Sequence, residues 1–543
     1  MSSLDARGSL TCCEKGLPRE GDADCAIRAA LLRLILVGAA DAPRLPENGL
    51  RLSGAWITGV LDLQGCRIPT DVAFADCRFD ATPNFQSAML DSLLLDGSVL
   101  PGLKARWLEA RGSVNIRLAM VDGPIDMRGA RLDGEVVLDG STLHGAGMAL
   151  DVSFIRTGGD LTMRHGCVQG YVKASGAQVS GDLILTGASV AHPDGVALAA
   201  NRVRIDGDVE LSAARIFGET SMIRAQIGGD LRLDGGVFTA PGALALTLNR
   251  ASIKGALFLR RGASVDGALG LSGAYASVVV DEPASWPKQG DLLLNRFRYD
   301  GFIGGPVDAP TRLLWLARQS PERWGEDFWP QPYEQLSGVL REMGHAQDAR
   351  LILYEKERLQ RRCGRRQAKT SVLRALLGVR DAVLAVTIGY GLNPLLSIVW
   401  LITIWLAGVA LLASVEAAGD LRPNSAVVLR SPEWVLCGAP AFSEVYLPSL
   451  NQTRAGLAFP GDPQMRCFLA QPEAHAFPHF NKWVYSLEAM LPGLQAGQHD
   501  YWSPDTRVQL GYVAKLFEYC QRVAGFALGL LAVAGFSGIV RSK

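Results

Sequence analysis

Residues 181–190, Gly181-Asp182-Leu183-Ile184-Leu185-Thr186-Gly187-Ala188-Ser189-Val190, carry the unit from which most of this chain is built. Leu183 and Leu185 alternate with a period of two, a strand signal, and the Gly-Asp ahead of them is a turn signal. The unit recurs about every 11 residues as Gly, any, apolar, any, apolar, two or three small residues, apolar, any. A longer period encloses it. Residues 144–191 read HGAGMALDVSFIRTGGDLTMRHGCVQGYVKASGAQVSGDLILTGASVA and residues 192–239 read HPDGVALAANRVRIDGDVELSAARIFGETSMIRAQIGGDLRLDGGVFT, two blocks of 48 with a third, decaying copy from Ala240. Gly159, Gly170 and Gly181 are matched one block on by Gly207, Gly218 and Gly229, and then by Gly255. Helical spacing is absent from these blocks.

Short strands with glycine corners, each unit too small to bury its own apolar face, describe a solenoid whose stacked coils share one core. The expected fold is therefore mainly β: a right-handed parallel β-helix over residues 49–300, followed by a helical hairpin and two transmembrane helices. Two coils per block give about 24 residues per coil, and about ten coils spaced ~4.8 Å make a rod of about 50 Å. Before the blocks the rhythm is looser, as in Gly54-Ala55-Trp56-Ile57-Thr58-Gly59-Val60-Leu61-Asp62-Leu63. Cys66 and Cys77 lie 11 apart in matching GCRI and DCRF contexts. They are expected to stack as small core residues in a ladder, against the alternative of a thiol pair.

At 543 residues the chain should hold more than one domain, and its 60 glycines and 48% hydrophobic content fit a glycine-cornered solenoid plus an apolar part. Fifty-four basic and 54 acidic residues balance, which argues against a dedicated nucleic-acid binder. The charge is uneven, however: Arg358, Arg361, Arg362, Arg365, Arg366, Lys369, Arg374 and Arg380 form a run without an acid. Behind it Leu395 to Val415 is an uncharged, apolar stretch of 21 residues with Trp400 and Trp405, long enough to span a bilayer. Val523 to Val540 is a second apolar stretch, short and rich in glycine (Gly525, Gly529, Gly535, Gly538), for which the first is the expected packing partner. The basic run and the terminal Arg541-Ser542-Lys543 both point to the cytoplasm by the positive-inside rule.

The resulting plan is an N-terminal tail and capping helix (1–48), the solenoid (49–300), a basic helical adaptor (301–392), a first span (393–415), an extracytoplasmic loop region (416–522) and a second span (523–540). The capping helix is placed at Ile27 to Val37, where Arg28, Arg33, Asp22 and Asp24 argue against a secretory signal. The hairpin rests on Leu336, Val339, Leu340 and Met343, then Leu351, Ile352 and Tyr354, at helical spacing around the stop at Gly344. Of ten cysteines, seven fall in the reducing cytoplasm, Cys437 and Cys467 in the outer loop are candidates for a disulfide, and Cys520 stays unpaired.

Together RAALLRLILVGA, GLRLSGAWITGVLDLQGCRI, the GDLxL repeats, PQPYEQLSGVLREMGHAQDARLILYEKERLQRR and VYSLEAMLPGLQAGQHDYWSP resemble a family of bacterial proteins with pentapeptide-like β-solenoid repeats and C-terminal spans. The family is labelled membrane-associated oxidoreductase or carries no assigned activity. The resemblance implies the architecture, membrane attachment and, through the label, a redox activity.

No signature for that activity is found in the residues. Gly145-Ala146-Gly147-Met148-Ala149-Leu150 lacks the third glycine of a dinucleotide turn and reads as a solenoid corner. No Cys-x-x-Cys, no Cys-x-x-Cys-His and no Gly-x-Ser-x-Gly occurs. His475 and His479 beside Glu473 have zinc spacing on a helix, which Pro472 and Pro478 disfavour. The Gly-Asp corners at Asp160, Asp182, Asp208, Asp230 and Asp291 are similar to calcium-binding β-rolls but lack their further glycines. Thr387-Ile388-Gly389-Tyr390-Gly391 looks like a potassium filter, yet it precedes the first span and reads as a glycine break after an interfacial helix (Val372 to Ile388).

No catalytic, cofactor-binding or metal-binding residue and no cofactor is expected. The leading expectation is a non-catalytic scaffold in the inner membrane, its solenoid and C-terminus cytoplasmic, whose partners are the lipid bilayer and a protein partner or further copies along the rod, without nucleic acid. The alternatives are an oxidoreductase with its site near Tyr333, His345 and Tyr354 or around His475, His479 and His499, and a transmembrane sensor.

Overall fold

A computed structural model describes residues 9–12, 16–38, 45, 47–393, 395–491 and 493–536. The chain divides into two compact units between Gln360 and Arg361. The first is a parallel β-solenoid of about 12 turns. Four strand columns run along it, passing for example through Arg67–Ile68 and Met89–Leu90, through Leu50–Ser53 and Val72–Ala75, through Trp56–Thr58 and Arg78–Phe79, and through Leu103–Lys104 and Ile125–Asp126. Leu183 and Leu185 point into the shared core.

The coils are not uniform. Early in the rod Ala73 pairs with Leu94 and Leu94 with Asn115, an even step from coil to coil. In the repeat blocks Leu183 pairs with Val209 and Val209 with Leu231, so a longer coil alternates with a shorter one and each such pair makes up one block. The longer coils carry their extra residues as bulges in the strands Thr142–Asp151 and Ser189–Ala199, where the register jumps between His144 and Met148 and between Ala191 and Val196. Gly145-Ala146-Gly147 is therefore a bulge within a strand and not the corner expected of it. The bulged backbone explains Gly170, where a Cβ would lie 2.6 Å from the Gly147 carbonyl oxygen.

The Gly-Asp motif has a ladder mechanism. The Asp160 carboxylate accepts from the Asp182 N–H (2.9 Å), Asp182 from the Asp208 N–H (2.7 Å), Asp208 from the Asp230 N–H (2.7 Å) and Asp230 from the Ala256 N–H (2.8 Å). Each carboxylate lies across the glycine of the next coil, and a Cβ on Gly181, Gly207, Gly229 or Gly255 would collide with it. These aspartates satisfy backbone donors where the chain turns.

Two further corners per coil are tight turns, such as Leu185-Thr186-Gly187-Ala188, in which the Ala188 N–H donates to Leu185 O (3.0 Å) and Gly187 has φ +68°. Several coils put a large residue in this left-handed position instead: Trp107, Leu118, Phe154 and His165. The cost is about 1–2 kcal/mol each, and it is offset because each side chain covers the glycine one coil on: Gly129, Gly140, Gly176 and Gly187. Cys66 and Cys77, half a coil apart, do not stack on one another. Both are free; the buried Cys77 Sγ donates to Leu52 O (3.5 Å), and burial pushes its thiol up to about 12, so it is no thiolate at neutral pH.

Both ends of the core are covered. At the N-terminal end the strand Ala26–Arg28 pairs with Trp56–Thr58, and helix α1 (Ala29–Val37) buries Ala29, Leu32 and Leu36 in the common core. Ile27 thus belongs to a strand rather than to the helix, because its ladder partner Ile57 is distant in sequence. At the other end α2 (Ala309–Leu316), N-capped by Asp308, seats Trp315 against Tyr299 and Phe302. Beneath it the buried Arg312 guanidinium holds both Asp281 oxygens (2.7 and 2.8 Å), and the Trp286 indole N–H donates to the same carboxylate (2.8 Å). Helix α3 (Gln331–Glu342) adds Tyr333, Leu336, Val339 and Leu340 to this core. Helix α4 (Ala346–Arg366) contacts α3 through Ser337 Oγ to Ala349 O (3.0 Å) and Lys356 to Glu334 (3.0 Å). The stretch 301–392, expected as one adaptor, is thus split: its first part closes the solenoid, and from Arg361 on it belongs to the second unit.

In the second unit α5 (Ser371–Ile388) leaves Leu373, Leu376, Val379, Val383 and Val386 exposed along one side. Gly389, Tyr390 and Gly391 all have positive φ and break the chain before α6 (Leu395–Ala418). Pro394, where the first span was expected to begin, lies outside the described residues, as do Gly538 and the terminal Arg-Ser-Lys. Among the described residues two helices are long and apolar enough to cross a membrane, Leu395–Ala418 and Gln509–Ala534. The second belongs to α8 (Gln509–Phe536), which begins well before the expected Val523 and so takes Lys515, Glu518 and Arg522 out of the loop region. Between them α7 (Lys482–Met490) packs against both, and a core of Trp434, Phe468 and Trp502 is cross-linked by the Cys437–Cys467 disulfide.

Candidate functional site at the root of the second apolar helix

Charged residues at positions 515, 518 and 522 fall on one face of α8 by their three- and four-residue spacing. Placed just before an apolar run, such groups need partners. Glu518, 4% exposed, receives four. The Tyr485 hydroxyl of α7 donates to it at 3.0 Å, Lys515 at 3.0 and 3.2 Å, and Arg522 at 3.1 Å, while the His499 Nδ1 lies 3.7 Å away. The His499 and Tyr485 rings are in contact, centroids 3.9 Å apart and tilted by 41°, and His499 Nε2 is buried with no hydrogen-bond partner among the described residues. The Glu488 carboxylate of α7 accepts from the backbone N–H groups of Gly497, Gln498 and His499 and holds the loop that delivers the imidazole.

Close packing around the cluster ties α6 to the same place. Gln521 donates to Ser486 O (3.0 Å) and Oγ (2.8 Å), Ser486 Oγ donates to Trp405 O (3.0 Å), and Gly408 leaves room for both side chains. The glycine that permits this approach is in the first span. Of the glycines expected to do so in the second, Gly525 instead faces the Met490 backbone of α7, and Gly529 has none of the described residues within 4 Å of where a Cβ would be.

Burial, followed by the Glu518 charge, pushes the Tyr485 phenol well above its ordinary value, so it remains a donor. Burial likewise pushes His499 below its ordinary 6.5, outweighing the opposite pull of Glu518 and Glu488, with Arg522 and Lys515 adding to the depression. At neutral pH the cluster sets a neutral imidazole beside the Glu518 carboxyl group, which Lys515, Arg522 and the Tyr485 phenol hold. Its chemical capacity is to take up one proton at His499. Because the unfolded chain binds that proton more readily, stability is complete above pH 6.5 and is lost as pH falls from there toward the folded value. The second unit should therefore melt a few degrees lower at pH 5.5 than at pH 7.5 in differential scanning calorimetry. The same scans on His499→Gln should show that step flattened; an unchanged step would assign it to other groups.

The other residues singled out in the sequence stay outside this cluster. His475 and His479 are exposed, and only His499 of the three histidines enters it. Tyr333 packs on Phe328 in the solenoid core, His345 stands at the turn from α3 to α4, and Tyr354 lies along α4. Among the described residues no three His, Cys, Asp or Glu side chains gather as metal ligands. Three arginines of the basic run, Arg361, Arg365 and Arg380, converge on the buried Asp381 just past its end (3.5, 2.6 and 2.9 Å). Burial works to raise the Asp381 carboxyl, but these hydrogen bonds win and hold it below the usual range. Part of the run is thus spent on an internal clamp. Tyr485, Lys515, Glu518 and Arg522 were missed in the sequence; the available signal was the charged helical face leading into the apolar segment.

No family model, no curated protein and no solved structure matches the chain.

Proposed function

We propose that this protein is a membrane-anchored, non-catalytic scaffold: a right-handed solenoid, extended by an α3–α4 helical hairpin, that offers its coil surface to a protein partner or to further copies. The observation that carries this reading is the joining, in one chain, of about 12 internally satisfied β-coils to two helices of membrane-spanning length and hydropathy. The exposed apolar side of α5 supports it as an interfacial helix on the same bilayer. Right-handed winding follows the general preference of parallel β crossovers. The likeness to membrane-associated oxidoreductases fits the anchoring, and the redox activity in that label is the alternative function. A transmembrane sensor is the second alternative, favoured by the proton-accepting His499 at the root of a span.

By the positive-inside rule the rod lies in the cytoplasm of a bacterial inner-membrane protein. The cross-links divide on this point. Cys437–Cys467 calls for an oxidising loop region, whereas Cys25, on the other side of the first span in sequence, is disulfide-bonded as well. Cys167 on the rod is free and exposed and serves as the probe. With the rod inside, a membrane-impermeant maleimide should leave Cys167 unmodified in intact cells and modify it after lysis. Labelling in intact cells would invert the orientation, and recovery of the chain in the carbonate-soluble fraction would end the anchored reading.

A further inference from the structure

One corner of the rod changes its packing part-way along. Along it the left-handed position is held in three successive coils by Arg202, Arg224 and Arg250 (φ +55°, +58° and +59°), with no glycine between them. In the preceding coils of the same corner, and on the other such corner, the large residue lies on the glycine one coil on, as Phe154 does on Gly176 and His165 on Gly187. Here there is no such seat for Arg202 or Arg224, and all three arginines are exposed. Several other arginines of the solenoid are paired with an aspartate of a neighbouring coil, among them Arg128 with Asp151, Arg164 with Asp139 and Arg260 with Asp234. The side chains of Arg202, Arg224 and Arg250 have no such partner among the described residues.

They line a cleft of about 600 Å³, the size of a small-ligand site, whose lining holds no carboxylate. Two asparagines complete it. Asn201 Oδ1 accepts from Ser221 Oγ (2.7 Å) and the Ile223 N–H (2.9 Å), and Asn249 Oδ1 accepts from the Ser272 N–H (2.9 Å). Their oxygens are used on the coil, which leaves the amide NH2 groups as donors. A cleft of three guanidiniums and two amides, spaced by the coil rise of ~4.8 Å, is complementary to an extended row of negative oxygens. The planar guanidinium fork pairs with phosphate oxygens two at a time, and a row of three such forks calls for several anionic groups in line.

We propose that the Arg202–Arg224–Arg250 corner binds a linear oligophosphate, either free or as the phosphate chain of a nucleotide. This rests on reading the coil surface as the part of the protein that binds.

The test is titration calorimetry of the full chain in neutral detergent with inorganic tripolyphosphate, and separately with ATP, at two salt concentrations. The expected result is saturable tripolyphosphate binding that weakens with salt. In the Arg202→Gly, Arg224→Gly, Arg250→Gly triple variant it should fall at least 30-fold. Because glycine is at ease at positive φ, that variant should melt no lower than the parent, which separates lost binding from lost folding. The control triple Arg67→Gln, Arg131→Gln, Arg156→Gln should bind within about twofold of the parent, since the affinity is assigned to the cleft and not to rod charge in general. ATP binding tighter than tripolyphosphate, with the excess removed by Phe154→Ala, would name a nucleotide as the source; equal binding would name the phosphate chain alone. No binding of either, or the same loss in the control, overturns the proposal. Both measurements are made in detergent, so failure here leaves the anchoring and sidedness tests standing.

Discussion

Replacing Arg312 with alanine should cost the C-terminal end of the solenoid about 3–5 kcal/mol, the typical penalty for orphaning one partner of a buried ion pair. Arg312 is wholly buried and saturates Asp281 from one side while Trp286 does so from the other. The guanidinium also sits 3.6 Å above the Phe302 ring, so the truncation removes packing together with charge. Asp281→Ala should cost a similar amount, whereas Asp281→Leu with Arg312→Met should recover most of the loss, because no unpaired charge is left. Coils in a solenoid contact only their neighbours, so the damage should stay local. Hydrogen exchange should accelerate around residues 275–302 and leave the coils near Leu61 protected. Uniform acceleration along the rod would show that the cap governs the whole solenoid instead.

Gly228→Ala should be nearly as damaging, at about 2–3 kcal/mol, by overpacking. A Cβ there would run into the Asp206 carbonyl, which is backbone and fixed by the parallel ladder on both sides. Gly229→Ala tests the adjacent motif. Its methyl would displace the Asp208 carboxylate, a side chain able to swing away, but the Asp230 N–H would then lose its acceptor at an expected cost of about 1–3 kcal/mol. Gly147→Ala is the control: none of the described residues lies within 4 Å of the added methyl, and the change should stay within about 0.5 kcal/mol. Urea titrations of the three variants and the parent should rank them in that order. Equal stability of Gly147→Ala and Gly228→Ala would mean that the coils can move apart locally to admit a methyl group.

The Gly-Asp spacing was readable as a turn, but its purpose was not. That the aspartate lies over the next coil's glycine depends on which residues the winding superposes. An even division of each repeat block into two coils places the partner of Asp182 near Asp206, whereas the alternation of long and short coils places it at Asp208. Bulges, invisible to periodicity, make that difference. The same limit applies to the cluster at Glu518. His499 and Tyr485 are well separated along the chain, and a helix N-cap, a loop and a carboxylate brace bring their rings into contact.

What the sequence determined by itself is whatever follows from local pattern. Period-two alternation makes strands, a repeat too small to fold alone must stack, and a long uncharged apolar run makes a helix that a bilayer can take. What only the tertiary structure decided is which side chains meet. That includes the Asp281–Arg312 cap, the Asp381 clamp on three arginines of a run that looked free, and the row of Arg202, Arg224 and Arg250 along one corner. The physical reason is that charge neutralisation and left-handed corners are settled by neighbours a full coil or a helix away. Their register is set by bulges and caps, which the polar and apolar alternation of the chain does not encode.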